Sequence, residues 1–168
     1  RRPPDIMVVF GVPKEPPRRS FFTWREGGRV PSFICEFSSE HTWENDLEEK
    51  FQIFQRLGVE EYFLFDPEDL YLEPALQGYR LQAGRYQPIP LEADGSLESK
   101  TIGVRLIGVG QYIRLIDPAS GSWLPTRLER ARAAAKREEE AVKREKEARQ
   151  EASEKEVEIA RLKALLEE

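Results

Sequence analysis

One cysteine, Cys35, and one histidine, His41, are all that 168 residues provide of either type. A zinc site built from Cys and His within one chain is therefore excluded. No apolar stretch reaches the 18 residues or so that a membrane-spanning helix requires, and no targeting segment is visible. With a single cysteine, that points to a cytoplasmic protein. A phosphate-cradling glycine loop is also missing, since Gly103-Val-Arg-Leu-Ile-Gly108-Val-Gly110 reads as strand and turn. Basic charge is scarce: 26 Lys and Arg stand against 31 Asp and Glu, a net charge of −5. Non-specific DNA binders usually show a basic face. Here basic residues concentrate only near the start, at Arg1, Arg2, Lys14, Arg18, Arg19, Arg25 and Arg29. The Pro-rich stretch from Pro13 to Ser20 reads as a solvated loop or as one that tracks a phosphate backbone. Trp24, Trp43 and Trp123 are too scattered to suggest a stacking platform.

The length suits one globular domain with an appendage. Residues 1–124 carry the apolar runs and turn signals of the domain, and residues 125–168 form a charged tail. Beyond Pro125 the tail holds no Gly or Pro and consists largely of Ala, Glu, Lys and Arg, the composition of a long helix. Ala131, Ala134, Ala141, Ala148, Ala152, Ile159, Leu162 and Leu166 follow a 3–4 alternation, broken by Glu138, Glu145 and Lys155. Such a seam buries little area before its last turns. A solvated single helix and a coiled coil that makes a homodimer both fit, and the homodimer is the expectation carried forward.

Within the domain, the segment Asn45–Leu57 is amphipathic at helical spacing, with Leu47, Phe51, Ile53, Phe54 and Leu57 on one side. Asn45 with Glu48 fits a variant of the capping box, and Thr42 is a second cap candidate. At about 100° per residue, Lys50 falls inside the apolar arc with Asp46 one turn below it. A charge on the core side is costly unless paired. Lys50 either snorkels over the apolar stripe while pairing with Asp46, or it serves a site. Two acids lie in apolar runs upstream: Asp5 opens Pro4-Asp-Ile-Met-Val-Val-Phe10, and Glu36 sits inside Phe33-Ile-Cys-Glu-Phe37. Short apolar runs of this kind fit strands covered on both faces. An acid in the middle of one is either exposed at a sheet edge or aimed into a cleft. Carboxylates from adjacent strands can hold a hard divalent cation, and a nearby lysine can orient a water or offset phosphate charge.

Elsewhere, Tyr62–Phe65 reads as a buried strand preceded by a Gly58 helix stop. Hairpins are expected across Ala83-Gly84 and across Gly108–Gly110, with turns at Asp94-Gly-Ser96 and Asp117–Gly121. Cys35 reads as a small core residue, and His41 as a residue at the helix entry.

These pieces together resemble the Uma-type restriction endonuclease family of the PD-(D/E)xK nuclease superfamily. The resemblance runs from Pro4-Asp5 through Glu36, Thr42 and Asp46–Lys50 to Leu57-Gly-Val-Glu-Glu-Tyr-Phe-Leu-Phe-Asp-Pro67. It continues through Leu76–Leu81, Tyr86–Pro90, Asp94-Gly95 and Leu115–Gly121. It implies an α/β fold, a restriction endonuclease-like mixed sheet with flanking helices, plus the long C-terminal helix. It also implies catalytic roles for Asp5, Glu36 and Lys50 in Mg²⁺- or Mn²⁺-dependent hydrolysis of DNA. Asp5, Glu36 and the main-chain carbonyl of Phe37 would hold the ion. The lysine is carried on the helix; Ser38 occupies the position two past the acid where the superfamily pattern would put it. Relatives commonly have Pro-Asp where this chain has Pro31-Ser32, and a Ser-rich polar turn where it has Ser38–Thr42 with Glu40. They also carry some tens of residues ahead of the PD motif, so a segment preceding Arg1 is expected. The alternative reading, favoured by Ser32 and Glu40, is a catalytically silent member of the fold that works as a coiled-coil-mediated binding or assembly module.

Overall fold

The computed structural model describes residues 3–13 and 20–166, with side chains described as far as residue 155. Arg1, Arg2, Lys14, Arg18 and Arg19 of the basic cluster, and the side chains of Ile159, Leu162 and Leu166, lie outside that description. The chain divides into two compact units, Arg1–Leu124 and Pro125–Glu168.

The first unit is built on a five-stranded mixed sheet in the order β1 (Ile6–Val8), β2 (Phe33–Phe37), β3 (Glu61–Phe65), β4 (Leu76–Gln82), β5 (Arg85–Pro88). Only β2 and β3 run parallel; every other pair is antiparallel. A parallel pair needs a crossover, and residues 43–57 supply it. There α1 (Trp43–Asn45), a π-helical turn (Asp46–Lys50) and α2 (Phe51–Leu57) follow one another without a break. Gly58 at φ 82 ends α2 in the left-handed conformation that glycine adopts without strain. A second, three-stranded antiparallel sheet contains β6 (Leu97–Ser99), β7 (Val104–Val109) and β8 (Tyr112–Ile116).

Side chains alternate across the first sheet with a period of two, which divides the core. Phe33, Cys35, Phe63 and Phe65 pack with Leu76 and Ile89 and with Leu97 and Leu106 of the second sheet. Ile34, Tyr62 and Leu64 point the other way and pack with Phe54, Val59, Leu72 and Tyr86. Each side chain of this size contributes roughly 1.5–3 kcal/mol when fully buried. The two sheets approach so closely that Gly108 and Gly78 are needed. A Cβ at Gly108 would lie 2.8 Å from Phe65 across the sheets, and one at Gly78 would lie 3.2 Å from Leu97 of the second sheet as well as 2.9 Å from Phe63, its cross-strand partner. Glu61, 1 % exposed, links the layers: it accepts from Arg80 Nε at 2.8 Å and from the Lys100 N–H at 3.1 Å, with the Ser99 hydroxyl as a third donor.

Three local expectations are corrected. The run opening at Pro4 is not a strand covered on both faces. β1 is three residues long and lies at the sheet edge, with β2 its one neighbour among the described residues; Ile6 is 45 % exposed, and Phe10, past the strand, is 56 % exposed. The capping box at Asn45 does not form: Asn45 is already helical and makes no cap hydrogen bond. The chain turns into the helix a few residues earlier, with the Trp43 N–H on the Ser39 carbonyl and the Thr42 hydroxyl accepting from the Ser39 N–H. Leu57, at the Gly58 cap, is exposed rather than part of the apolar face. The hairpins form, the first over Ala83-Gly84 (φ 49 and 79) and the second with its tight turn at Gly110-Gln111.

The second unit is α3 (Arg127–Leu166), 40 residues. It starts from a reciprocal cap in which the Glu129 N–H donates to Thr126 Oγ1 at 3.2 Å and the Thr126 N–H to Glu129 Oε2 at 2.7 Å. Its described side chains are exposed throughout. No helix of the described residues is long and apolar enough to cross a membrane.

Candidate active site

Register brings the two acids together. Ile6 pairs with Cys35, so Asp5, one residue earlier on the antiparallel strand, falls beside Glu36. The Asp5 N–H donates to Glu36 Oε2 at 3.1 Å, and Asp5 Oδ2 accepts the Phe37 N–H at 2.8 Å. Phe37, the residue singled out for its main-chain carbonyl, is thus at the same place. Asp5 is exposed, whereas Glu36 is fully buried. The sheet-edge reading of Glu36 is overturned, because β2 is flanked by β1 and β3.

Alternation along β2 puts Glu36 on the face that the 43–57 helix covers. Lys50 meets it there: Lys50 Nζ lies 3.1 Å from Glu36 Oε1 and 2.9 Å from Asp46 Oδ1, with 13 % of the lysine side chain exposed. Neither of those two oxygens has a well-angled hydrogen bond, and the ammonium is the charge that faces both. Snorkelling is therefore set aside, since Lys50 turns inward between two buried carboxylates.

Asp46 carries more weight than its sequence position suggested. It is 1 % exposed, and its Oδ2 accepts the Ser38 hydroxyl at 3.2 Å. Its main-chain carbonyl takes the hydroxyl of Tyr62, a fully buried residue, at 2.9 Å. The i,i+4 spacing to Lys50 was visible in the sequence. The π turn that carries both residues, and the contacts from Ser38 and Tyr62, were not.

Burial pushes the Glu36 carboxyl up to about 7; the Asp5 N–H and the Lys50 ammonium pull it down only in part. Burial alone would lower Lys50, but Asp46 and Glu36 outweigh it and hold the ammonium above its ordinary range. Burial, with Glu36 and Asp5 nearby, raises the Cys35 thiol to about 12, in keeping with a core role. His41 and Glu40 lie exposed in the turn before the helix, 3.9 Å apart. Of the early basic residues that are described, Arg25 sits over the Phe22 ring at 4.9 Å, and Arg29 donates to the Gly11 carbonyl. Neither reaches the carboxylates through a contact seen here.

Among the described residues, no three Asp, Glu, His or Cys side chains converge as a ready metal cage. The donors at Asp5, Glu36 and the Phe37 main chain are nonetheless all oxygens, and two are carboxylates. Mg²⁺ is commonly held by one or two carboxylates, with water and substrate phosphate completing the shell. Oxygen donors of this kind suit a hard divalent cation.

The chain matches the model of a family described as "Putative restriction endonuclease", named Uma2, over residues 1–106. No protein of curated function matches it.

Proposed function

Since the chain belongs to the Uma2 family of restriction endonuclease-like proteins, we propose that it is a Mg²⁺-dependent endonuclease acting on DNA phosphodiesters. The observation that carries this reading is the placement of Lys50 Nζ at 3.1 Å from the buried Glu36, which is itself tied to Asp5. In this reading Asp5, Glu36 and the Phe37 carbonyl hold the ion. An ion held there would supply positive charge to offset the charge that develops on the phosphodiester. Lys50 keeps its proton and orients the attacking water or the phosphate oxygen through its N–H groups. Glu36 must lose the proton that burial favours before it can act as a ligand, so ion binding is coupled to proton release.

The test is calorimetric titration of Mg²⁺ and Mn²⁺ into the full chain beside Glu36→Ala, with a plasmid-nicking assay that includes Lys50→Ala. The reading expects binding that Glu36→Ala abolishes, and nicking that either variant abolishes. Absence of binding to the wild type would turn attention to the silent-module alternative. Pairing of two copies belongs to the same proposal. Since the seam through residue 155 is mostly alanine broken by Glu138, Glu145 and Lys155 and would bury little area, Ile159, Leu162 and Leu166 would carry most of the pairing. Sedimentation of the full chain beside Leu162→Glu tests it.

A further inference from the structure

We propose that Asp46 is the positioning residue of this site, holding the Lys50 ammonium in place when a cation draws Glu36 away; this rests on the endonuclease reading above. Lys50 is shared between Glu36 and Asp46 at 3.1 and 2.9 Å. A carboxylate that ligates a divalent cation gives up much of its hold on a neighbouring ammonium. Without a second partner, a long lysine side chain regains rotamer freedom. Asp46 is built to prevent that. Its carboxylate is 1 % exposed and fixed at the far oxygen by Ser38, and its backbone is fixed by the Tyr62 hydroxyl. The π turn (Asp46–Lys50) sets both residues facing β2, and π turns often mark functional positions.

The role of Ser38 follows from the same geometry. It stands two residues past Glu36 on the chain and donates at 3.2 Å to the aspartate that holds the lysine. The position that carries a lysine in the superfamily pattern here supports the counter-ion of a lysine placed on the helix. The contacts of Asp46 are with Lys50, Ser38 and Tyr62, and in this proposal it acts only through Lys50.

Two measurements on the full chain test this. The first is the ¹H–¹⁵N ammonium signal of Lys50, assigned by its loss in Lys50→Arg. A buried, ion-paired ammonium exchanges its protons slowly enough to be seen. The signal is expected in the wild type with and without Mg²⁺, to weaken in Ser38→Ala, and to vanish in Asp46→Asn once Mg²⁺ is added. Its survival in Asp46→Asn with Mg²⁺ present overturns the proposal.

The second is steady-state cleavage. Asp46→Asn is expected to lower kcat on the order of 10²-fold with KM for DNA and calorimetric Mg²⁺ affinity held. Added to Lys50→Ala, the Asp46→Asn change should lower the residual rate no further, as for a residue that acts only through the lysine. Additive losses, or a loss that tracks only the folded fraction by circular dichroism, would mark Asp46 as a structural residue and overturn the proposal. Absence of cleavage by the wild type would count against the endonuclease reading alone. The ammonium signal decides the role of Asp46 in either case.

Discussion

The main-chain N–H of Asp5 donates to Glu36 Oε2 at 3.1 Å, so the exposed edge strand and the buried carboxylate behind it form one unit. That bond favours the charged carboxylate, yet burial outweighs it and raises Glu36 from 4.5 to about 7. Between those values the folded carboxyl retains a proton that the unfolded chain has released. Its contribution to stability is therefore full below pH 4.5 and is lost as pH rises through 7. In metal-free buffer, urea unfolding of the wild type should lose about 2 kcal/mol between pH 5 and pH 7.5. Glu36→Gln should remove that slope. An unchanged slope in the variant would assign the pH dependence to another group.

Asp66 behaves in the opposite sense. Its carboxylate accepts five main-chain N–H groups, from Glu68, Asp69, Leu70, Tyr71 and Leu72. Burial would raise it, but those donors prevail and hold it below the ordinary aspartate range. Its contribution is present at neutral pH and lost as pH falls through the lowered folded value. Asp66→Asn should cost about 2–3 kcal/mol at pH 7, the scale of hydrogen bonds to a charged group. The gap from wild type should narrow in acid, as denaturant titrations at pH 7 and pH 3 would record.

Gly108 marks where the two sheets touch. Any larger side chain meets Phe65, which is 1 % exposed and packed on its other sides. Gly108→Ala should destabilise by about 1–3 kcal/mol through overpacking. Thermal unfolding against Gly84→Ala, a turn glycine with nothing within 4 Å of its added Cβ, separates crowding from backbone strain.

Thr126→Ala should loosen the start of α3 by about 1 kcal/mol. It removes one half of the reciprocal bond with Glu129. Faster amide exchange over residues 127–130, with unchanged exchange in β3, is the expected signature.

Much of the fold was written in local pattern. The short apolar runs in Phe33–Phe37 and Tyr62–Phe65, the left-handed stop at Gly58, the turn at Ala83-Gly84 and the charged tail all follow from backbone preference and local composition, and each forms as an element. Those signals are carried by a few consecutive residues, so they survive without knowledge of neighbours. The division of the strands between two sheets was not legible, nor was the exposed edge position of β1. Both depend on which strand takes each free edge, and that is decided by packing among segments far apart in the chain. For the same reason Glu61 was not singled out as the tie between the layers, since its partners Arg80, Ser99 and Lys100 lie 19 to 39 residues away.

At the site the division is similar. Local pattern was enough to put Lys50 on the core side of a helix near Asp46 and Glu36 inside an apolar strand. Packing between distant segments made β2 an inner strand, turned Glu36 toward the helix and seated Lys50, through a π turn, between two buried carboxylates. A charge in an apolar stripe is visible in one segment. The partner that makes its burial tolerable comes from another, and only the fold sets the distance between them.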